Sequence, residues 1–155
     1  MKTAVIGIGY VGLPLVVRLS QINYSVVGLD ININKVRSLQ KGQLPFAKDE
    51  PNLNQFYKKE FKKGKITFSN DFALLKDKDL IFLNVDTPII GKSANYKSLI
   101  AACKSISSYL RNEAIVVVES TVSPGTTNSN GIRLMTRVPN SRNDRDGQFR
   151  TIRAM

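Results

Sequence analysis

An α/β fold is predicted for this chain: a doubly wound parallel sheet of about five strands with helices on both faces. Three observations predict it. Short β-branched apolar runs alternate along the chain with segments of helical period. Glycines cluster directly after the first run, where a strand must turn into a helix. The second run ends in an acid, Asp30. The size fits one domain: 155 residues, 42% hydrophobic and 23% charged, enough to bury roughly two thirds of the unfolded surface.

The elements follow in order. Lys2–Ile6 (KTAVI) reads as a buried strand ended by Gly7. Residues 11–22 read as a helix whose Leu15, Leu19 and Ile22 share one face. Pro14 falls near its start, where a missing N–H does little harm. Ser25–Leu29 (SVVGL) is the second strand, and 34–40 a short helix closed by Gly42. Residues 43–54 hold Pro45 and Pro51 and read as a loop leading into a helix through Phe61. Residues 65–68 form a third strand, and 71–75 begin a helix that Ser69 or Asn70 would cap. Strands four and five are 80–85 and 114–119. Between them, 96–110 reads as a helix with Leu99, Cys103, Ile106 and Leu110 on its apolar stripe. Crossovers between parallel strands are expected to be right-handed.

Composition excludes several chemistries. No histidine is present, so Ser-His, Cys-His and His-metal sites are excluded, and no metal site is expected. The single cysteine, Cys103, rules out a disulfide framework within the chain and reads as a small core residue. A reducing, cytoplasmic compartment fits this usage. The N-terminus lacks the long apolar stretch of a secretory signal, and the longest apolar runs, such as 114–118, are too short to span a bilayer. The net charge is +11, with Lys58, Lys59, Lys62, Lys63 and Lys65 in one run. Without a nucleic-acid module or aromatic-interleaved basic stripe, that charge reads as a solvated surface, and neither nucleic acid nor membrane is an expected partner.

The chain changes character near residue 128. Residues 1–127 hold 14 Lys and 3 Arg; residues 128–155 hold 6 Arg and no Lys. This arginine-rich tail also loses periodicity, so it is expected to be irregular or disordered. A natural flexible tail is one explanation. The other is translation out of frame after a break in a longer gene, since a shift in A-rich DNA turns Lys codons into Arg codons. We expect the second. The folded domain is then 1–127, cut before the usual sixth strand, with an exposed apolar patch where later elements would pack.

Gly7-Ile8-Gly9-Tyr10-Val11-Gly12 is a G-x-G-x-x-G. Alone it is a weak signal. Here a strand precedes it, a helix follows, and Asp30 ends the second strand near the spacing that dinucleotide-binding units show. Gly7 would permit the tight turn, Gly9 the approach of a pyrophosphate, and Gly12 close packing of helix on strand. Free N–H groups at the helix start would hold the diphosphate. Asp30 would accept bonds from the adenosine ribose hydroxyls and repel a 2′-phosphate, which favours NAD over NADP. A methyltransferase using S-adenosylmethionine also fits an acid at this place. Two further segments fall at carboxyl ends of strands, where such sheets form their ligand crevice: Asn84-Val85-Asp86-Thr87-Pro88, and the stretch ESTVSPGTT over 119–127.

GIGYVGLPL, VDTP and ESTVSPGTT, in that order and spacing, resemble the UDP-glucose/GDP-mannose dehydrogenases, the NAD-dependent nucleotide-sugar 6-dehydrogenases. The resemblance covers 1–127. It implies a Rossmann-like domain and a cytoplasmic oxidoreductase of polysaccharide biosynthesis, which oxidises a C6 alcohol to a carboxylate in two NAD-dependent steps. It implies cofactor contacts from Gly7, Gly9, Tyr10, Val11 and Gly12, from Asp30 and Lys35 at the adenosine end, and from Thr87 and Thr121. Thr121 would also position a catalytic water. Glu119, where other members carry Lys, slightly favours N-acetylated amino sugars. The family's nucleophilic cysteine, dimer-forming central helix and sugar-nucleotide domain find no counterpart here. This chain alone is therefore expected to bind NAD without turnover, and a stand-alone NAD-binding module is the alternative.

Overall fold

A computed structural model describes residues 1–45, 50–90, 93–111 and 113–120. The elements are β1 (Lys2–Ile6), α1 (Gly12–Gln21), β2 (Ser25–Leu29), α2 (Ile33–Gln40), α3 (Pro51–Phe61), β3 (Ile66–Ser69), a 3-10 helix (Phe72–Asp77), β4 (Leu80–Leu83), β5 (Ile89–Ile90), β6 (Ser93–Ala94), α4 (Lys97–Ser107) and β7 (Ile115–Val118). Five strands form one parallel sheet in the order β3-β2-β1-β4-β7. The central β1 pairs with both β2 and β4, so Ala4 lies opposite Val27 and Ile81. This is the expected α/β fold.

Side chains alternate across the sheet and feed two cores, as a sheet covered on both faces requires. Ala4, Ile6, Val27, Leu29, Ile81 and Leu83 pack with Leu75, Leu99 and Ile106 of the 3-10 helix and α4. Val5, Val26, Ile66 and Phe68 pack on the other face with Leu13, Val16 and Val17 of α1, Val36 and Leu39 of α2, and Tyr57 of α3. Cys103 is half-buried against the first core, and burial pushes its thiol up to about 11. It is a packing residue with little thiolate at neutral pH.

Several elements differ from expectation. Leu19 of α1 is buried as expected, but the buried face also runs through Leu13, Val16, Val17 and Ser20, and Ile22 is 51% exposed. Ile22 lies one residue past the helix, at a C-cap where Asn23 turns left-handed (φ 75°). Asn23 and Tyr24 donate to the carbonyls of Ser20 and Leu19, closing α1 with a Schellman motif. Residues 72–77 are 3-10, not α-helix, and the cap is Asp71, whose carboxylate accepts from Ala73 N–H at 2.9 Å. Ser69 instead accepts from Asp71 N–H at 3.0 Å, and Asn70 plays no capping part. β4 ends at Leu83, two residues early, and α4 is shorter at both ends than expected. A short antiparallel hairpin, β5–β6, was not expected, although Gly91-Lys92 between two short runs is a hairpin signal in the sequence. Residues 121–155, and with them Thr121 and the whole arginine-rich tail, lie outside the described residues. Among the described residues no helix is long and apolar enough to cross a membrane.

Candidate functional site

The order β3-β2-β1-β4-β7 makes β1 and β4 the pair at which the connections change direction. Such a switch point opens a crevice beyond the carboxyl ends of the strands. The glycine turn sits there, and its three glycines meet different surroundings. Gly7 is left-handed (φ 86°), and a Cβ on it would lie 2.0 Å from the Asn84 carbonyl oxygen at the end of β4. A Cβ on Gly12 would lie 1.9 Å from the Gly7 carbonyl oxygen. Among the described residues nothing lies within 4 Å of the Cβ position of Gly9. Two glycines thus let backbones close on each other, while the third leaves room for a ligand.

Among the described residues the start of α1 has no side-chain cap. Val11 at its N-cap makes no side-chain cap bond, and no acid lies in the first turn. A helix N-terminus in this condition carries a partial positive charge and N–H donors suited to an anion. Tyr10 and Val11, each 63% exposed, border it.

Asp30 lies one strand away, 6% exposed. Its Oδ2 accepts from Ile8 N–H at 2.9 Å and from Lys35 Nζ at 2.7 Å, and its Oδ1 accepts from Asn32 N–H at 2.9 Å. Burial works to raise the carboxyl's pKa, but the bonds from Lys35, Asn32 and Ile8 outweigh it and hold the group below the usual range. A carboxylate offers about four acceptor sites, so three occupied ones leave a single opening. The expected pairing of Asp30 with both ribose hydroxyls therefore needs Lys35 to shift, which the sequence did not reveal. The Ile8 bond also ties Asp30 to the glycine turn itself.

Thr87 is half-buried on the segment that leaves β4. Two residues not assigned from the sequence belong to the same region. Both side-chain polar atoms of Asn84 are buried without a hydrogen-bond partner among the described residues. Ser120 accepts from Val85 N–H at 3.0 Å and donates to the Val85 carbonyl at 2.7 Å. Both stand inside the quoted motifs, which was the available signal, but nothing in their residue type separates them from ordinary turn residues.

This arrangement can take an elongated anion with a hydroxyl-bearing group over β2 and a second group over β4. Comparison with known proteins agrees. Residues 1–149 match the NAD binding domain of the UDP-glucose/GDP-mannose dehydrogenase family. The chain is 30% identical over 127 residues to a UDP-N-acetyl-D-mannosamine dehydrogenase of Pyrococcus horikoshii, covering 82% of this chain and 30% of that protein. It is 35% identical over 128 residues to a UDP-glucose 6-dehydrogenase of Bacillus subtilis, covering 81% of this chain and 29% of that one. Among solved structures, a GDP-mannose dehydrogenase of Pseudomonas aeruginosa superposes with a TM-score of 0.78 at 29% identity, over 86% of this chain and 31% of the other. The chain thus spans about three tenths of the length of these relatives. Sheet order, glycine turn and family match converge: the chain belongs to the UDP-glucose/GDP-mannose dehydrogenase family, of which it carries the NAD binding domain.

Proposed function

We propose that this chain binds NAD as the cofactor-holding part of a nucleotide-sugar 6-dehydrogenase working in the cytoplasm. One observation carries the reading: the open face of Gly9 at the uncapped start of α1, beside a buried, ionised Asp30. The diphosphate would be held by backbone N–H groups of the glycine turn at the start of α1. Asp30 takes a hydroxyl of the adenosine ribose on its remaining acceptor site, and Lys35 moves aside or donates to a ribose oxygen. A 2′-phosphate meets the Asp30 carboxylate at close range, so NADP binds less well. Thr87 contacts the second nucleotide over β4. Thr121, by the family resemblance, contacts NAD and helps position a catalytic water. When bound, the nicotinamide ring supplies the hydride acceptor. The chain's own residues hold and orient that ring and exclude the phosphorylated cofactor.

The substrate this reading implies is the C6 alcohol of a nucleotide sugar, bound by parts of the full-length enzyme beyond this chain. Titration calorimetry with NAD, NADP and S-adenosylmethionine tests the proposal. Saturable NAD binding, weaker NADP binding and no heat from S-adenosylmethionine are expected. Binding of S-adenosylmethionine in preference to NAD sinks it.

A further inference from the structure

The parallel ladder between β4 and β7 ends in an unusual way. Its last backbone bond runs from Glu119 N–H to the Leu83 carbonyl, at 3.0 Å. The next bond of a parallel ladder would take Val85 N–H to the Glu119 carbonyl. It does not form. Val85 N–H instead donates to Ser120 Oγ at 3.0 Å, and the same hydroxyl donates back to the Val85 carbonyl at 2.7 Å. A second, longer approach, 3.4 Å, reaches the Leu83 carbonyl. One side chain thus replaces the backbone partner where the two strands part, and it fixes both the N–H and the C=O of Val85.

Val85 begins the segment that carries Thr87 and Pro88, and Ser120 directly precedes Thr121 in the sequence. The hydroxyl therefore ties the root of the segment leaving β4 to the end of β7. Asp30 holds the β2 side of the crevice. A dinucleotide laid across the switch point has its second nucleotide on the β4 side, over the segment that starts at Val85. We propose that Ser120 is a positioning residue: by holding the Val85 backbone it sets the segment 85–88 in the geometry that receives the second nucleotide, without touching the adenosine half. This rests on the NAD reading above.

The test compares NAD, ADP-ribose and AMP on the full 155-residue chain by calorimetry, at a temperature where each variant is folded. Ser120→Ala should weaken NAD and ADP-ribose by about tenfold, the scale of one well-placed hydrogen bond, and leave AMP unchanged. Ser120→Thr, which keeps the hydroxyl, should restore both. Unchanged binding of all three ligands by Ser120→Ala overturns the proposal. So does an equal loss for all three, which would mark a purely structural role. If the unaltered chain binds AMP but neither larger ligand, the NAD reading itself fails and takes the proposal with it. A measurement independent of any variant's folding is hydrogen exchange at the Val85 amide. Slow exchange is expected from the Ser120 bond, and exchange as fast as that of an unbonded amide overturns the proposal.

Discussion

Gly9 and Gly12 stand three residues apart in one turn, yet substitution should separate their roles. A methyl group on Gly12 meets the Gly7 carbonyl at 1.9 Å, a backbone atom that cannot step aside. Gly12→Ala should therefore cost on the order of 1–3 kcal/mol or more, the scale of overpacking, read as a lower urea midpoint. Gly9→Ala meets nothing and should leave the urea midpoint within about 0.5 kcal/mol of the original, while weakening NAD in calorimetry because the methyl stands where the diphosphate approaches. A Gly9→Ala variant that binds NAD normally would show that the open face is not the diphosphate site. Asp30→Ala acts on the other half. It should weaken NAD and raise the NADP-to-NAD affinity ratio, and it should also destabilise the chain, because Ile8 and Asn32 lose their acceptor. An unchanged ratio would remove Asp30 from cofactor choice. The glycines and Asp30 were legible from spacing alone. The three bonds already on Asp30 were not, because two come from backbone N–H groups whose direction depends on how β1 and β2 pair.

At the scale of elements, α1 and α3 are joined by a buried polar tie. Glu60, 2% exposed, accepts from the Ser20 hydroxyl at 3.1 Å and from Lys63 Nζ at 2.7 Å. Lys63 foremost, then Ser20, overcome desolvation and hold the Glu60 carboxyl below its usual range. Lys63 is 42% exposed, so screening keeps the ion pair's own share under about 1 kcal/mol. A depressed folded-state pKa gives stability that is present above the unfolded value of about 4.3 and is lost as pH falls through the folded value. Glu60→Gln should accordingly lower stability at pH 7 by about 1 kcal/mol in urea unfolding, and the gap should narrow as pH falls below the unfolded value and close once it is below the depressed folded one. A gap that persists in acid would mean that shape, not charge, matters there. The sequence showed α3 as a helix, but not this tie, because Ser20 and Glu60 are 40 residues apart. In α1, Leu19 is buried and Leu15 packs against the same core as the period indicates, but apolar residues occur on more than one face, and only docking on the sheet buries Leu13, Val16 and Val17 and leaves Ile22 exposed.

Across the whole molecule, ligand binding should appear as stability. At 100 times its Kd, NAD stabilises the folded chain by about 2.7 kcal/mol, which for a domain of this size raises Tm by roughly 5–10 °C. Thermal melts at matched concentrations should show a smaller shift with NADP. Equal shifts from both would indicate that Asp30 does not discriminate in the assembled site. The molecule is suited to such a gain because the residues proposed to bind sit on separate strands of one sheet: the turn after β1, Asp30 after β2 and Thr87 after β4. Holding them together opposes unfolding of the sheet as a unit.

What the sequence by itself determined is local: the alternation of strand and helix, the glycine turn and its acid, and through three motifs in register the family. These depend on short-range period and on residue types with narrow backbone or charge requirements, which a linear reading captures. The tertiary structure decided the strand order, the face on which each helix packs, the occupancy of the Asp30 carboxylate and the Ser120 clasp on Val85. Each of these is a contact between residues distant in the chain. Its energy depends on packing and hydrogen-bond geometry that exists only once the sheet has formed.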